Sequence, residues 1–190
     1  MSFNLFIYDF LTLIQIVCVI GIIANLLFIL NSFITRKAPC VFMPKEVIPE
    51  IVKALDLNKS SILYDLGSGD GRIVFALHRE TPDAKLTGID ISPFLTAYTN
   101  SLKNKLKSSE NIHFINDNIM RADLGDATHI FAYLFPEFMI RLLPKMEKEL
   151  KPGTIFVSCD FPFTGKKPIK TIDLGRKETE KARYLYIYKF

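Results

Sequence analysis

Apolar residues run almost unbroken from Leu11 to Leu30, whereas beyond Pro44 they come in short runs separated by glycine, proline and charge. The first pattern predicts one long helix. No residue from Leu11 to Leu30 is charged, and at about 1.5 Å rise per residue the run covers roughly the 30 Å of a bilayer's hydrocarbon. Gln15 and Asn25 are its main polar interruptions. A core helix ordinarily keeps a polar face, and a cleaved signal peptide carries a basic start and a small-residue cleavage site; this run has neither. The pattern predicts a transmembrane anchor over residues 1–35 and a second domain over 36–190. Asp9 precedes the run and Arg36 and Lys37 follow it, so the positive-inside bias predicts a single-pass membrane protein, N-terminus out, with its C-terminal domain in the cytoplasm.

The second pattern alternates strand-like with helical runs, the mark of an α/β fold with a mostly parallel sheet covered on both faces. Strands are predicted at 62–66, 85–90, 111–116, 128–134, 154–160, 168–174 and 183–189, and helices at 44–56, 71–80, 93–107 and 137–150. Lys151-Pro152-Gly153 closes the last helix. The stretch Phe161-Pro162-Phe163-Thr164-Gly165-Lys166-Lys167-Pro168 is too short and broken for a crossover helix, so the last strands are expected to form an antiparallel edge.

Charge and cysteine content narrow the partners. Lys and Arg number 24 and Asp and Glu 20, and Asp9 alone lies before Arg36, so the second domain is net positive. That excess suits an anionic leaflet, and it is too small and dispersed to argue for nucleic acid. Cys18, Cys40 and Cys159 form no pairing framework, as in a reducing cytoplasm. His78, His113 and His129 are scattered without a ligand partner at i+3 or i+4, and no Ser or Cys sits in a nucleophile elbow, so neither a metal nor covalent catalysis is expected.

The candidate chemistry lies in Asp65-Leu66-Gly67-Ser68-Gly69-Asp70-Gly71-Arg72, which follows the first predicted strand. Glycines 67, 69 and 71 allow a tight turn and close approach to a ligand, but as G-x-G-x-G rather than the dinucleotide G-x-G-x-x-G. Asp65 and Asp70 would repel a pyrophosphate. They attract an ammonium and a sulfonium, which points to S-adenosylmethionine rather than NAD. Asp90 ends the second strand, at the spacing from which an acidic residue accepts hydrogen bonds from ribose hydroxyls, with Ile91 beside it. Asp117-Asn118 ends the third, where it is expected to hold the adenine amine.

These residues, with Gly88-Ile89-Asp90, resemble the first two cofactor motifs of class I S-adenosylmethionine-dependent methyltransferases. Ala38-Pro39-Cys40-Val41-Phe42-Met43-Pro44, Ala132-Tyr133-Leu134-Phe135-Pro136-Glu137 and Glu149-Leu150-Lys151-Pro152-Gly153-Thr154 narrow the likeness. They are similar to the small membrane-anchored methyltransferases whose mitochondrial members methylate lysines of the adenine nucleotide translocase and the ATP synthase c-subunit. The resemblance implies a Rossmann-like class I sheet and a membrane or membrane-adjacent protein as methyl acceptor. It also implies that residues 38–44, which depart here from the family's Ala-Pro-aromatic-Val-Pro-Thr-Pro, close over cofactor and target lysine.

Methyl transfer from a sulfonium needs a positioned, neutral nucleophile and no covalent intermediate. Tyr133, Phe135 and Pro136 are expected to wall the acceptor pocket with Phe161 and Phe163 opposite, and Glu137 or the Tyr133 hydroxyl to accept a hydrogen bond. Tyr133, Pro136 and Glu137 are thus the candidate catalytic residues. The competing readings are methylation of a lipid or quinone headgroup, and a non-catalytic S-adenosylmethionine-binding adaptor. Nucleic-acid methylation would be expected to show Asn/Asp-Pro-Pro-aromatic after the fourth strand, which Leu134-Phe135-Pro136 does not supply.

Overall fold

The computed structural model describes residues 3–34, 43–105 and 110–190. The chain divides into two compact units, Met1–Val41 and Phe42–Phe190. The first holds helix α1 (Phe3–Ile34), whose side chains from Tyr8 to Leu27 are all exposed and have a mean hydropathy of 2.5. Among the described residues it is the one helix long and apolar enough to cross a membrane. Of the stretch 38–44, only Met43 and Pro44 lie within the described residues.

The second unit begins with a 3-10 turn (Lys45–Val47) and α2 (Ile48–Leu55), then runs β1 (Ile62–Leu66), α3 (Arg72–Glu80), β2 (Lys85–Asp90), α4 (Pro93–Lys105), β3 (Ile112–Asn116), β4 (His129–Ala132), α5 (Pro136–Glu149), β5 (Ile155–Cys159), β6 (Lys170–Asp173) and β7 (Tyr184–Lys189). The seven strands are ordered β3-β2-β1-β4-β5-β7-β6. β1 to β5 are parallel, while β7 enters antiparallel between β5 and β6, so the expected antiparallel edge is present. The order reverses between β1 and β4, which places a ligand crevice beyond their carboxyl ends.

Two apolar layers sandwich the sheet. Ile51 and Leu55 of α2 and Ile73, Val74 and Leu77 of α3 cover Leu63, Leu86, Ile112 and Val157 on one face. Met139, Leu142 and Met146 of α5 cover Leu66, Ile89, Ile130 and Phe156 on the other. Each fully buried side chain contributes roughly 1.5–3 kcal/mol.

The expected elements are all present: β1 and β2 match to the residue, α5 begins and ends one residue early, and the other strands are trimmed at their ends. The strand expected at 128–134 stops at Ala132, because Tyr133–Phe135 leaves the sheet to feed α5, whose first residue Pro136 has no N–H to leave unpaired. The helix expected at 44–56 is divided between the 3-10 turn and α2. Of the helix expected over 93–107, the last residues lie outside the described ones.

Candidate active site

The glycine loop joins β1 to α3 through three left-handed residues, Gly67 (φ 79°), Gly69 (φ 56°) and Gly71 (φ 74°). The Gly67 and Ser68 amides both donate to the Ile89 carbonyl, at 2.8 and 3.0 Å, which folds the loop onto the end of β2. That approach needs the bare Cα of Gly88, where a Cβ would lie 2.8 Å from the Ser68 side chain. A Cβ on Gly71 would meet the Phe114 ring at 2.7 Å.

Three carboxylates surround this loop and do different things. Asp70 is taken by Arg72, whose Nε and Nη2 lie 2.8 and 2.5 Å from its oxygens, while Arg72 Nη1 also donates to the Met43 carbonyl. Burial raises the Asp70 pKa, but the Arg72 guanidinium outweighs it and leaves the carboxyl below its ordinary range. Asp90 is a bracket: its Oδ2 accepts from the Gly69 amide at 2.9 Å and its Oδ1 from Ser92 at 2.8 Å, tying the loop to the start of α4.

Asp65 is the carboxyl left without compensation. It is 3% exposed, its Oδ2 has no hydrogen-bond partner, and burial followed by the charges of Asp90 and Asp70 pushes its pKa up to about 8. A buried carboxylate without a counter-charge is costly unless a cation completes it.

At the β3 end, the Asp117 amide donates to the Asp90 carbonyl at 3.2 Å, and Asp117 Oδ1 accepts from the Asn118 amide at 2.6 Å. Asn118 caps the next turn through Met120 N at 2.9 Å. Ile91, the residue after Asp90, leaves 51% of its surface open.

The β4 and β5 ends are aromatic. Tyr133 stacks on Phe161 with ring centroids 6.3 Å apart and planes at 15°, and Phe135 meets the same ring at 6.0 Å. Phe163 does not join them: it is 4% exposed, packs on Phe156 and Tyr188, and donates its amide to the Tyr188 hydroxyl at 2.9 Å. Pro136 and Glu137 are exposed in the first turn of α5. Leu134 connects the two halves, since a Cβ on Gly67 would lie 3.0 Å from its Cδ2.

One residue here escaped the sequence reading. Asp160, just past β5, has φ 60° and accepts from the amides of Ala182 (2.7 Å), Arg183 (2.6 Å) and Tyr184 (3.3 Å) and from the Tyr133 hydroxyl (3.3 Å). Its position past a parallel strand's carboxyl end was the available signal.

Residues 65–170, more than half of the chain, match the model of the ANTKMT methyltransferase domain. The chain belongs to this family. Its members are methyltransferases that use S-adenosylmethionine. A relative of this ANTKMT-type domain is a protein-lysine N-methyltransferase from Saccharolobus islandicus (strain REY15A), 31% identical over 78% of the chain and 92% of the relative. Another is the human lysine N-methyltransferase of the ATP synthase c-subunit, 28% identical over 67% of the chain; the match spans about half of that protein, 54%. A similar solved structure is an RNA methyltransferase from Salinibacter ruber in complex with S-adenosyl-L-homocysteine, with TM-score 0.72 and 32% identity over 78% of the chain and 93% of that one.

The site of the ANTKMT-type domain fits S-adenosylmethionine on its own evidence. The unpartnered Asp65 oxygen suits the donor's ammonium, and the left-handed glycine turn leaves room for its close approach.

Proposed function

We propose that this chain is a membrane-anchored protein-lysine N-methyltransferase. The observation that carries the reading is the junction at Leu134, where the aromatic segment after β4 abuts the glycine loop after β1. The lysine specificity borne by the names of the archaeal and human relatives supports it. In this reading Asp65, Gly67, Ser68, Gly69, Gly71, Asp90, Ile91, Asp117 and Asn118 hold the cofactor, with Asp70 steadying the loop through Arg72. Bound there, S-adenosylmethionine supplies a methyl group already activated as a sulfonium.

The protein's own task is to present a neutral amine in line with that methyl. A lysine has a reference pKa of about 10.4, and the apolar ring surfaces of Tyr133, Phe135 and Phe161 lower it by desolvation. Pro136 fixes the turn that carries Tyr133 into the wall, and Glu137 accepts a hydrogen bond from the amine at the mouth. Helix α1 spans the bilayer with the catalytic unit on the cytoplasmic side, which raises the effective concentration of membrane targets.

A second reading, methylation of RNA, is favoured by the likeness to the Salinibacter ruber RNA methyltransferase. One experiment separates the acceptors. Membranes carrying the full chain or Asp90→Ala are incubated with methyl-labelled S-adenosylmethionine, and the label is partitioned among protein, lipid and RNA. The expected result is methyl-lysine in protein hydrolysates, reduced at least tenfold in Asp90→Ala, since two amides lose a charged partner. Label confined to RNA or to the lipid extract overturns the lysine reading. For the anchor, the full chain is expected to need detergent for extraction and a chain lacking residues 1–35 is not; equal solubility without detergent overturns the span.

A further inference from the structure

Consecutive residues hold Tyr133 at both ends. Phe161 stacks on its ring, and Asp160 receives its hydroxyl at 3.3 Å. A carboxylate offers about four acceptor sites and no proton of its own when ionised. Three of these go to the amides of Ala182, Arg183 and Tyr184, so the Tyr133 hydroxyl takes the remaining one as donor. The hydroxyl proton is thereby committed, and the phenol oxygen, which the Ala182 amide also approaches, keeps a lone pair with which to accept.

The backbone around the carboxylate is built to hold it there. Asp160 (φ 60°) and Ala182 (φ 59°) are both left-handed without being glycine, and they are joined by the Ala182 amide at 2.7 Å. Such conformations persist where surrounding structure over-determines them, and they cluster at functional sites. The Asp160 amide also donates to the Tyr184 carbonyl at 2.9 Å, which fixes the carboxylate relative to β7. Asp160, Cys159 and the Ala182 amide face Tyr133; burial first, and then Asp160 and Cys159, keep the phenol protonated well above its ordinary range, against a smaller opposing pull from the Ala182 N–H. It therefore accepts a hydrogen bond without becoming a base.

We infer that Asp160 is a positioning residue for the methyl acceptor: by taking the Tyr133 hydroxyl proton in a hydrogen bond, it fixes the phenol oxygen as the acceptor that orients the substrate amine. The inference rests on the proposed lysine methyltransferase reading and on Tyr133 as part of that site.

The test is a double-mutant cycle in the full chain, with detergent-solubilised membrane protein as methyl acceptor. Methyl-lysine formation by the wild-type chain is scored first, and its absence overturns both the lysine reading and this inference. Tyr133→Phe and Asp160→Asn are each expected to lower the apparent kcat by about tenfold, the scale of one hydrogen bond. The double variant is expected to be no slower than Tyr133→Phe, while S-adenosylhomocysteine binding by calorimetry stays within about twofold. If Asp160→Asn costs the same factor with Phe at position 133 as with Tyr, Asp160 is only a staple between β5 and β7 and the inference falls while the lysine reading stands. An unchanged rate in Tyr133→Phe also overturns it.

Because Asp160→Asn exchanges one of the two accepting oxygens for an NH2 donor that faces other donors, and can fail to fold, a second measurement leaves Asp160 in place. With 3-fluorotyrosine at position 133, the phenol is expected to titrate above free 3-fluorotyrosine, followed by its fluorine resonance. A midpoint at or below the free value overturns the inference.

Discussion

The carboxyl edge of the sheet has two halves built on different principles. Over β1, β2 and β3 the site is polar and made by backbone: three left-handed glycines, a bare Gly88 and the Asp90 bracket. Over β4, β5 and β7 it is made by side-chain packing, with Tyr133, Phe135 and Phe161 drawn together by the topology and Asp160 tied to amides of residues 182–184. A backbone-built half admits almost no substitution, which suits an invariant donor such as S-adenosylmethionine. A packed half changes shape with each side chain, which suits an acceptor that differs among relatives.

Two phenylalanines in the packed half, two positions apart, put the largest effect on this contrast. Phe163→Ala empties a site among Phe156, Tyr188 and Phe190, and is expected to cost about 3–5 kcal/mol in denaturant unfolding. Phe161→Ala removes a half-buried ring at the wall, and is expected to cost under about 1.5 kcal/mol while slowing methylation about tenfold. Equal losses of stability would erase the distinction between wall and core.

The polar half is broken at Asp65, where stability and binding pull apart. Asp65→Asn is expected to weaken S-adenosylhomocysteine binding by about a hundredfold, the scale of removing one member of a buried ion pair. Without the ligand, the same variant is expected to be more stable than the wild type at alkaline pH. The folded-state pKa is about 8 against 3.8 for the unfolded carboxyl, so the wild-type contribution is full below the unfolded value and is lost as pH rises through about 8. Thermal melts at acidic and alkaline pH check it, and parallel pH curves for the two proteins would contradict it.

The same contrast explains what could be read from residues alone. β1 and β2 fall where expected to the residue, because their runs are bounded by a glycine turn and by Ser92-Pro93. The glycine loop is legible because it carries its own spacing, three glycines straight after a strand and then an acidic residue, Asp90, 21 positions from Gly69. Asp70 was harder: the turn's charge was read as two carboxylates facing a cation, whereas Arg72, two residues on, engages one of them. On the other side, aromatic spacing gave no means of telling Phe161 from Phe163. Asp160 escapes notice because no spacing marks it: its amide partners at 182–184 reach it only through the antiparallel pairing of β5 with β7.

The cofactor's affinity is expected to follow the same carboxylate. As pH rises toward about 8, Asp65 loses its proton and gains attraction for an ammonium, so S-adenosylhomocysteine binding is expected to tighten by up to about tenfold per pH unit and then level off. Calorimetry across that range in wild type and Asp65→Asn separates this from other titrations. A slope that survives in Asp65→Asn would move the effect to another group.

Asp117 is expected to give the smallest effect and the finest discrimination. Its side chain is 36% exposed, Oδ1 is already shared by the Asn118 amide, and its 3.5 Å pair with the exposed Arg121 contributes at most about 1 kcal/mol. A single further hydrogen bond, to an adenine amine, contributes about 0.5–1.5 kcal/mol, so Asp117→Ala is expected to weaken S-adenosylhomocysteine binding about threefold to tenfold. Removing Arg121 alone separates the two contributions: Arg121→Gln is expected to leave binding unchanged within about twofold. The decisive comparison is with S-inosylhomocysteine, which lacks the amine. The wild type should prefer the adenine form, and Asp117→Ala should lose that preference by the same factor by which it loses affinity; an unaltered preference would place the base's partner elsewhere along the β3 end.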